Sequence, residues 1–79
     1  NAICPGITHT NILSSIVKKR ALEQNKSEDE IMKHYVRDIP LQRPNDPEDI
    51  AEMVIFLSSK GASNISGQSY NIDGGLIPS

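Results

Sequence analysis

Ala2-Ile3-Cys4 is a short apolar run that Pro5-Gly6 stops after too few residues for a helix, so it reads as the end of a buried strand. Beyond the turn, Ile12, Leu13, Ile16, Val17 and Ala21 recur at spacings of three and four, the mark of an amphipathic helix. Lys18, Lys19 and Arg20 are expected near its negative C-terminal end. Ser27 followed three residues later by Glu30 forms a capping box. Ile31, Met32, Tyr35, Val36 and Ile39 then continue a second helix, which Pro40 ends because proline and the residue before it both leave the helical conformation. Residues 40–45 read as a connecting loop. A third helix starts with Asp46 as N-cap and Pro47 in the first helical position, while Glu48 and Asp49 place negative charge at the positive dipole end. The apolar residues Ile50, Ala51, Met53, Val54, Ile55, Phe56 and Leu57 cover most of its circumference, so it should be covered on two sides. It is expected to close near Ser58 to Gly61, with Gly61 in the left-handed position past its end. Residues 67–73 alternate, with Gln68, Tyr70 and Ile72 on one face, and Asp73-Gly74-Gly75 terminate this second strand.

A strand, three helices and a second strand predict a parallel pair joined by a right-handed helical crossover, hence an α/β fold. No segment repeats at a fixed interval. The 79 residues carry a formal net charge of -2, which gives no basic excess for a phosphate backbone and argues against nucleic-acid binding. The longest apolar run, Met53 to Leu57, is far short of the roughly 20 residues that cross a bilayer, so no membrane span is expected. Cys4 has no partner for a disulfide, and no signal pattern opens the chain, so a reducing cytoplasm is the expected compartment. A domain of about 60 residues buries only roughly 60% of its unfolded surface, and no disulfide framework or metal motif offsets that here. With no initiating Met and an opening inside a strand, the chain is expected to be a segment of a longer polypeptide.

Most chemistry-bearing residues have an ordinary structural explanation. His9 and His34 have no third ligand at metal spacing, and neither is a candidate general base. Cys4 has no neighbouring base to activate it and is expected to be a buried strand residue. Asp46, Glu48 and Asp49 fit helix capping better than a cation loop. Asn25-Lys26-Ser27 and Asn64-Ile65-Ser66 match the glycosylation pattern with no sign of secretion. Pro5-Gly6-Ile7-Thr8-His9-Thr10 differs from these. It lies at the C-terminal end of a parallel strand, where open α/β sheets bind ligands. Gly6 would let the backbone approach a flat ring or phosphate, and Thr8 and Thr10 carry hydroxyls for amide or phosphate oxygens. A plain strand-to-helix turn with a threonine N-cap explains the same residues equally well.

Four segments together carry a resemblance: Asn1-Ala2-Ile3-Cys4-Pro5-Gly6 with Thr10; Pro40-Leu41-Gln42-Arg43; Pro47-Glu48-Asp49-Ile50-Ala51 with Phe56-Leu57; and Gly67-Gln68 with Asn71-Ile72-Asp73-Gly74-Gly75. In this order and at these distances they resemble the C-terminal part of a short-chain dehydrogenase/reductase. That resemblance implies the last two strands of a Rossmann-type parallel sheet, with residues 11–39 as a helical substrate lid, the helix of residues 46–60 as an oligomer interface and residues 67–73 as the last strand. It also implies that Pro5, Gly6, Ile7, Thr8, His9 and Thr10 meet the nicotinamide end of NAD or NADP. The main chain at Ile7 would bond the carboxamide, and Thr10 the carboxamide or pyrophosphate oxygens. The implied partners are a small alcohol or carbonyl substrate and further copies in a dimer or tetramer. Gln42 departs from the family pattern, which usually has glycine there, and Pro44 is less usual too, so the loop before the third helix is where conformation departs.

Two absences qualify what the segment does alone. No glycine-rich phosphate loop occurs, and the family's catalytic tyrosine has a lysine four residues on, whereas Tyr35 is followed there by Ile39 and Tyr70 by Gly74. The catalytic residues and those that distinguish NAD from NADP are expected upstream of Asn1, and the segment by itself is expected to be inactive. The alternative is a non-catalytic binding or assembly module built on the same fold.

Overall fold

The computed structural model describes residues 1–77. Strand β1 (Ala2–Pro5) lies parallel to β2 (Ser69–Ile72), with Ala2 opposite Ser69, Ile3 opposite Tyr70, Cys4 opposite Asn71 and Pro5 opposite Ile72. Helices α1 (Asn11–Gln24), α2 (Glu28–Val36) and α3 (Pro47–Leu57), with a 3-10 turn at Lys60–Ala62, form the crossover. This is the α/β arrangement the periodicities predict. The second strand is shorter than the alternating stretch of residues 67–73, because Gly67 sits at φ 69, outside the β region, and Asp73 begins the closing turn.

Helix α1 opens where the Thr10 hydroxyl accepts a hydrogen bond from the Leu13 N–H at 3.3 Å. Leu13, Val17 and Ala21 are buried along one narrow stripe, whereas Ile12 and Ile16 lie on the open side. The helix runs on to Gln24 and closes on Asn25 in the left-handed conformation at φ 53. Lys18, Lys19 and Arg20 therefore stand short of its last turn, and the expected pairing of these cations with the helix C-terminus is not made.

Ser27 caps α2 by accepting the Glu30 N–H at 3.2 Å, and its own hydroxyl donates to Glu30 Oε1 at 3.3 Å. The glutamate thus bonds the cap hydroxyl in place of the cap N–H. The helix ends at Val36, earlier than the apolar pattern, because the chain has to leave the helical region ahead of Pro40; Ile39 is nevertheless buried from the loop. Leu13, Val17, Ala21 and Ile31 form the buried cluster between α1 and α2, with Ile7, Met32 and Tyr35 packed against it. The Arg20 guanidinium stacks 5.3 Å from the Tyr35 ring centre.

Three expectations change here. Helix α3, the most apolar segment, has no buried residue: Ile50, Met53 and Leu57 are half-buried, whereas Val54, Ile55 and Phe56 are exposed. A sheet of two described strands is too narrow to cover a helix that is apolar on most sides, so the best packing lies in the α1–α2 pair. Cys4 is exposed for the same reason, since it projects to the opposite side of β1 from the half-buried Ile3. Gly61 is not left-handed; it is taken up in the 3-10 turn, where the Ala62 N–H donates to the Ser59 carbonyl at 3.1 Å. The left-handed glycines are Gly67, Gly74 and Gly75.

Gln42 stands at φ 54, so the loop keeps a left-handed residue without the glycine that tolerates one. A side chain in this region costs about 1–2 kcal/mol, while glycine raises the entropy lost on folding by about 0.5–1 kcal/mol. Gln42→Gly is therefore expected to stabilise the fold by about 0.5–1 kcal/mol in chemical denaturation; a lower denaturation midpoint would show that Gln42 is held without strain.

Candidate functional site

The loop of residues 5–10 leaves the C-terminal end of β1 and is tied down on one side only. The Gly6 N–H donates to the Ile72 carbonyl at 2.9 Å, continuing the parallel pairing past Pro5. Thr8 then pairs with Asn45 in an isolated parallel bridge: the Asn45 N–H donates to the Ile7 carbonyl at 2.7 Å, and the His9 N–H donates to the Asn45 carbonyl at 2.7 Å. In extended backbone, successive residues turn their amide groups to opposite edges. The Thr8 N–H and carbonyl accordingly face away from Asn45, and neither has a partner among the described residues.

That free edge is a backbone donor beside a backbone acceptor, the complement of a primary carboxamide. The sequence reading placed this contact at Ile7. The Ile7 carbonyl is already used by Asn45 and the Ile7 side chain packs into the α1–α2 core, so the backbone pair left free lies at Thr8. A Cβ built at Gly6 would lie 2.6 Å from Asp73 Cβ and 3.0 Å from Asp73 Cα, so its missing side chain makes room for the end of β2.

The hydroxyls divide their work. Thr8 Oγ1 donates to the Gly6 carbonyl at 3.0 Å, whereas Thr10 Oγ1 accepts from Leu13 and keeps its own proton to donate. His9 Nε2 lies 3.2 Å from Ser14 Oγ on the first turn of α1, an exposed pair beside the loop. His34 is exposed on α2, apart from this loop.

Behind the loop, Asp73 is buried and accepts the Gly75 N–H at 3.0 Å and the Ile77 N–H at 3.0 Å, fixing the turn after β2. The Leu41 N–H donates to the Gly74 carbonyl at 3.1 Å, so the 39–45 loop is held against that turn. At its other end Arg43 grips Asp49 with Nη1 at 3.1 Å and Nη2 at 3.4 Å, and Asp49 also accepts the Asp46 N–H at 2.8 Å. The hydrogen bond from Arg43, helped by that of the Asp46 N–H, holds the Asp49 carboxyl below its ordinary pKa. Asp49 is thus fully charged at neutral pH, where it caps α3.

A cleft of about 460 Å³ is lined by Leu41, Arg43, Asn45, Asp73, Gly75 and Ile77 among others and touches none of residues 5–10. Among the described residues no cluster of three His, Cys, Asp or Glu side chains is placed to hold a metal ion, and no helix is long and apolar enough to cross a membrane. Sequence reasoning missed Asn45 and Asp73 as parts of the site. Both sit in connecting segments, where no periodicity marks a polar residue for burial.

A family model described as enoyl-(acyl carrier protein) reductase matches residues 1–77, and solved short-chain dehydrogenases superpose on nearly the whole chain. The chain belongs to the short-chain dehydrogenase/reductase family. A diacetyl reductase [(S)-acetoin forming] of Staphylococcus aureus is 37% identical over 76 residues, which is 96% of this chain and 30% of that protein. A short chain dehydrogenase family protein from Francisella tularensis subsp. tularensis SCHU S4 superposes with a TM-score of 0.79 at 36% identity, covering 94% of this chain and 31% of the other. An actinorhodin polyketide ketoreductase solved with NADPH superposes with a TM-score of 0.74 at 32% identity, covering 96% of this chain and 29% of the other. The chain thus spans about 30% of the length of the curated relatives it matches. As a short-chain dehydrogenase/reductase it has the Rossmann-type α/β fold, of which β1, β2 and the helices between them are part.

Proposed function

We propose that these residues form the C-terminal, nicotinamide-side segment of an NAD(P)-dependent oxidoreductase that interconverts a small alcohol and a carbonyl compound. The observation that carries this reading is the free Thr8 edge at the C-terminal end of a parallel strand, the place where open α/β sheets bind ligands. NAD or NADP fits it: the carboxamide is a donor and an acceptor on one group, and Thr8 offers the matching acceptor and donor, with the Thr10 hydroxyl free to donate to an amide or phosphate oxygen. The dinucleotide supplies the hydride chemistry when bound.

The chain's own residues orient and enclose. Residues 11–39, folded as the α1–α2 pair around their own core, serve as the substrate lid, and Ile7 joins that core to the cofactor loop. The lid's self-contained packing supports movement as one unit, which hydrogen exchange on the intact enzyme would reveal as cooperative opening of both helices. The exposed Val54, Ile55 and Phe56 of α3 suit burial in a homo-oligomer contact of a cytoplasmic enzyme. Neither described tyrosine has a lysine four residues on, so the groups that move the carbinol proton belong to other parts of the enzyme, and the segment alone is expected to be inactive.

Thr8→Pro tests the reading directly, because it removes the free N–H and leaves the Ile7 carbonyl and the His9 N–H to pair with Asn45. In the intact enzyme, titration with NADH and NADPH should show at least a tenfold loss of affinity, in line with the roughly 1–3 kcal/mol lost when a buried polar group is left unpaired. Unchanged affinity in a folded variant would assign the loop a purely structural role and favour the non-catalytic module.

A further inference from the structure

We infer that Asn45 is the positioning residue for the cofactor loop, holding the Thr8 edge in the orientation that a carboxamide needs. This inference rests on the nicotinamide reading above and adds to it a residue outside the loop. Asn45 is 6% exposed, one of two polar residues buried in the described chain. Its backbone N–H and carbonyl both pair with the loop, at Ile7 and at His9, each at 2.7 Å. Its side-chain Nδ2 donates to the Ile72 carbonyl, the same oxygen that accepts the Gly6 N–H.

One residue therefore fastens the loop at three places. Through Ile72 it locks to the atom that anchors Gly6, and through its own backbone it fixes the residues on either side of Thr8. Without the side-chain bond, Asn45 would still pair with the loop, but that pair would be tied to the end of β2 only through the Gly6 and Leu41 N–H bonds on either side of it. The Thr8 edge would then rotate against the sheet, and the contact with a bound amide would weaken while the rest of the fold stayed in place. The neighbouring elements support this division. The Arg43–Asp49 pair joins the chain before Asn45 to α3 after it, and the Leu41 N–H holds the chain further upstream to Gly74, so Asn45 sits on a segment already fixed on both sides.

The test separates positioning from general stability by comparing two ligands that differ only at the nicotinamide. In the intact enzyme carrying Asn45→Ala, affinity for NADH or NADPH should fall about tenfold, while affinity for ADP-ribose or its 2′-phosphate, which lack the nicotinamide, should stay within twofold of wild type. Asn45→Asp, whose carboxylate cannot donate to the Ile72 carbonyl, should show the same selective loss and a larger one. Should Asn45→Ala fail to fold, Asn45→Ser gives the same comparison, since its shorter hydroxyl removes the bond to Ile72 while keeping a polar group. Equal losses for both ligands, or no loss for either, would overturn the positioning role. The Thr8→Pro variant keeps the two readings apart. If it loses the dinucleotide while the Asn45 variants do not, the loop binds nicotinamide without help from Asn45; if it too keeps full affinity, the nicotinamide reading itself falls.

Discussion

Gly6→Ala should destabilise the fold by about 2–3 kcal/mol, at the upper end of what overpacking a tight site costs. The new Cβ would lie 2.6 Å from Asp73 Cβ and 3.0 Å from Asp73 Cα. Asp73 cannot step aside, because its carboxylate is committed to the Gly75 and Ile77 N–H groups and its backbone follows directly on β2. The strain would be relieved by parting the loop from the end of β2, which breaks the bond from the Gly6 N–H to the Ile72 carbonyl. Denaturation of the intact protein should therefore show a lowered midpoint, accompanied by weaker dinucleotide binding. A variant of native stability would mean that the two chain segments are not in the contact described.

Gly74→Ala should cost about as much or more, for two reasons that can be measured apart. Gly74 is left-handed at φ 66, and a Cβ there would lie 2.6 Å from Ile39 Cγ2. The backbone contributes about 1–2 kcal/mol and the collision with a buried side chain about 1–3 kcal/mol more. Gly67 supplies the reference: it is equally left-handed, at φ 69, but a Cβ there meets nothing within 4 Å. Gly67→Ala should thus show the backbone cost alone. Comparable losses for the two variants would remove the Ile39 contact as a contributor and leave Gly74 as an ordinary turn glycine.

These two glycines show why the site was only partly legible in the sequence. Both were expected in turns; Gly74 is in one, whereas Gly6 extends the parallel pairing. What they are for depends on residues distant in the chain: Gly6 yields space to Asp73, and Gly74 to Ile39. The same holds for the free backbone edge of the loop, which lies at Thr8 and not at Ile7 once Asn45 is seen to pair with the loop. Residue type alone made this loop a ligand-facing candidate, but which amide stays free is decided by the segment that pairs with it.

The periodic and capped segments were readable without the fold, because their determinants are local. Apolar spacing marked α1 and α2, and the side-chain caps Thr10 and Ser27 and the pair Asp46-Pro47 set the helix starts by bonds within one turn. A short strand on either side of a long helical connection sufficed for a parallel pairing. Burial was another matter. The near-continuous apolar run of α3 promised the best-covered helix, yet in this chain the buried cluster lies between α1 and α2, since burial depends on what packs against a face and not on how apolar the face is. The sequence by itself determined the order of elements and the helix starts, from interactions a few residues apart. Only the tertiary structure decided the burial of Asn45 and Asp73, the exposure of Cys4 and the free edge at Thr8, because each depends on contacts between residues far apart in the chain.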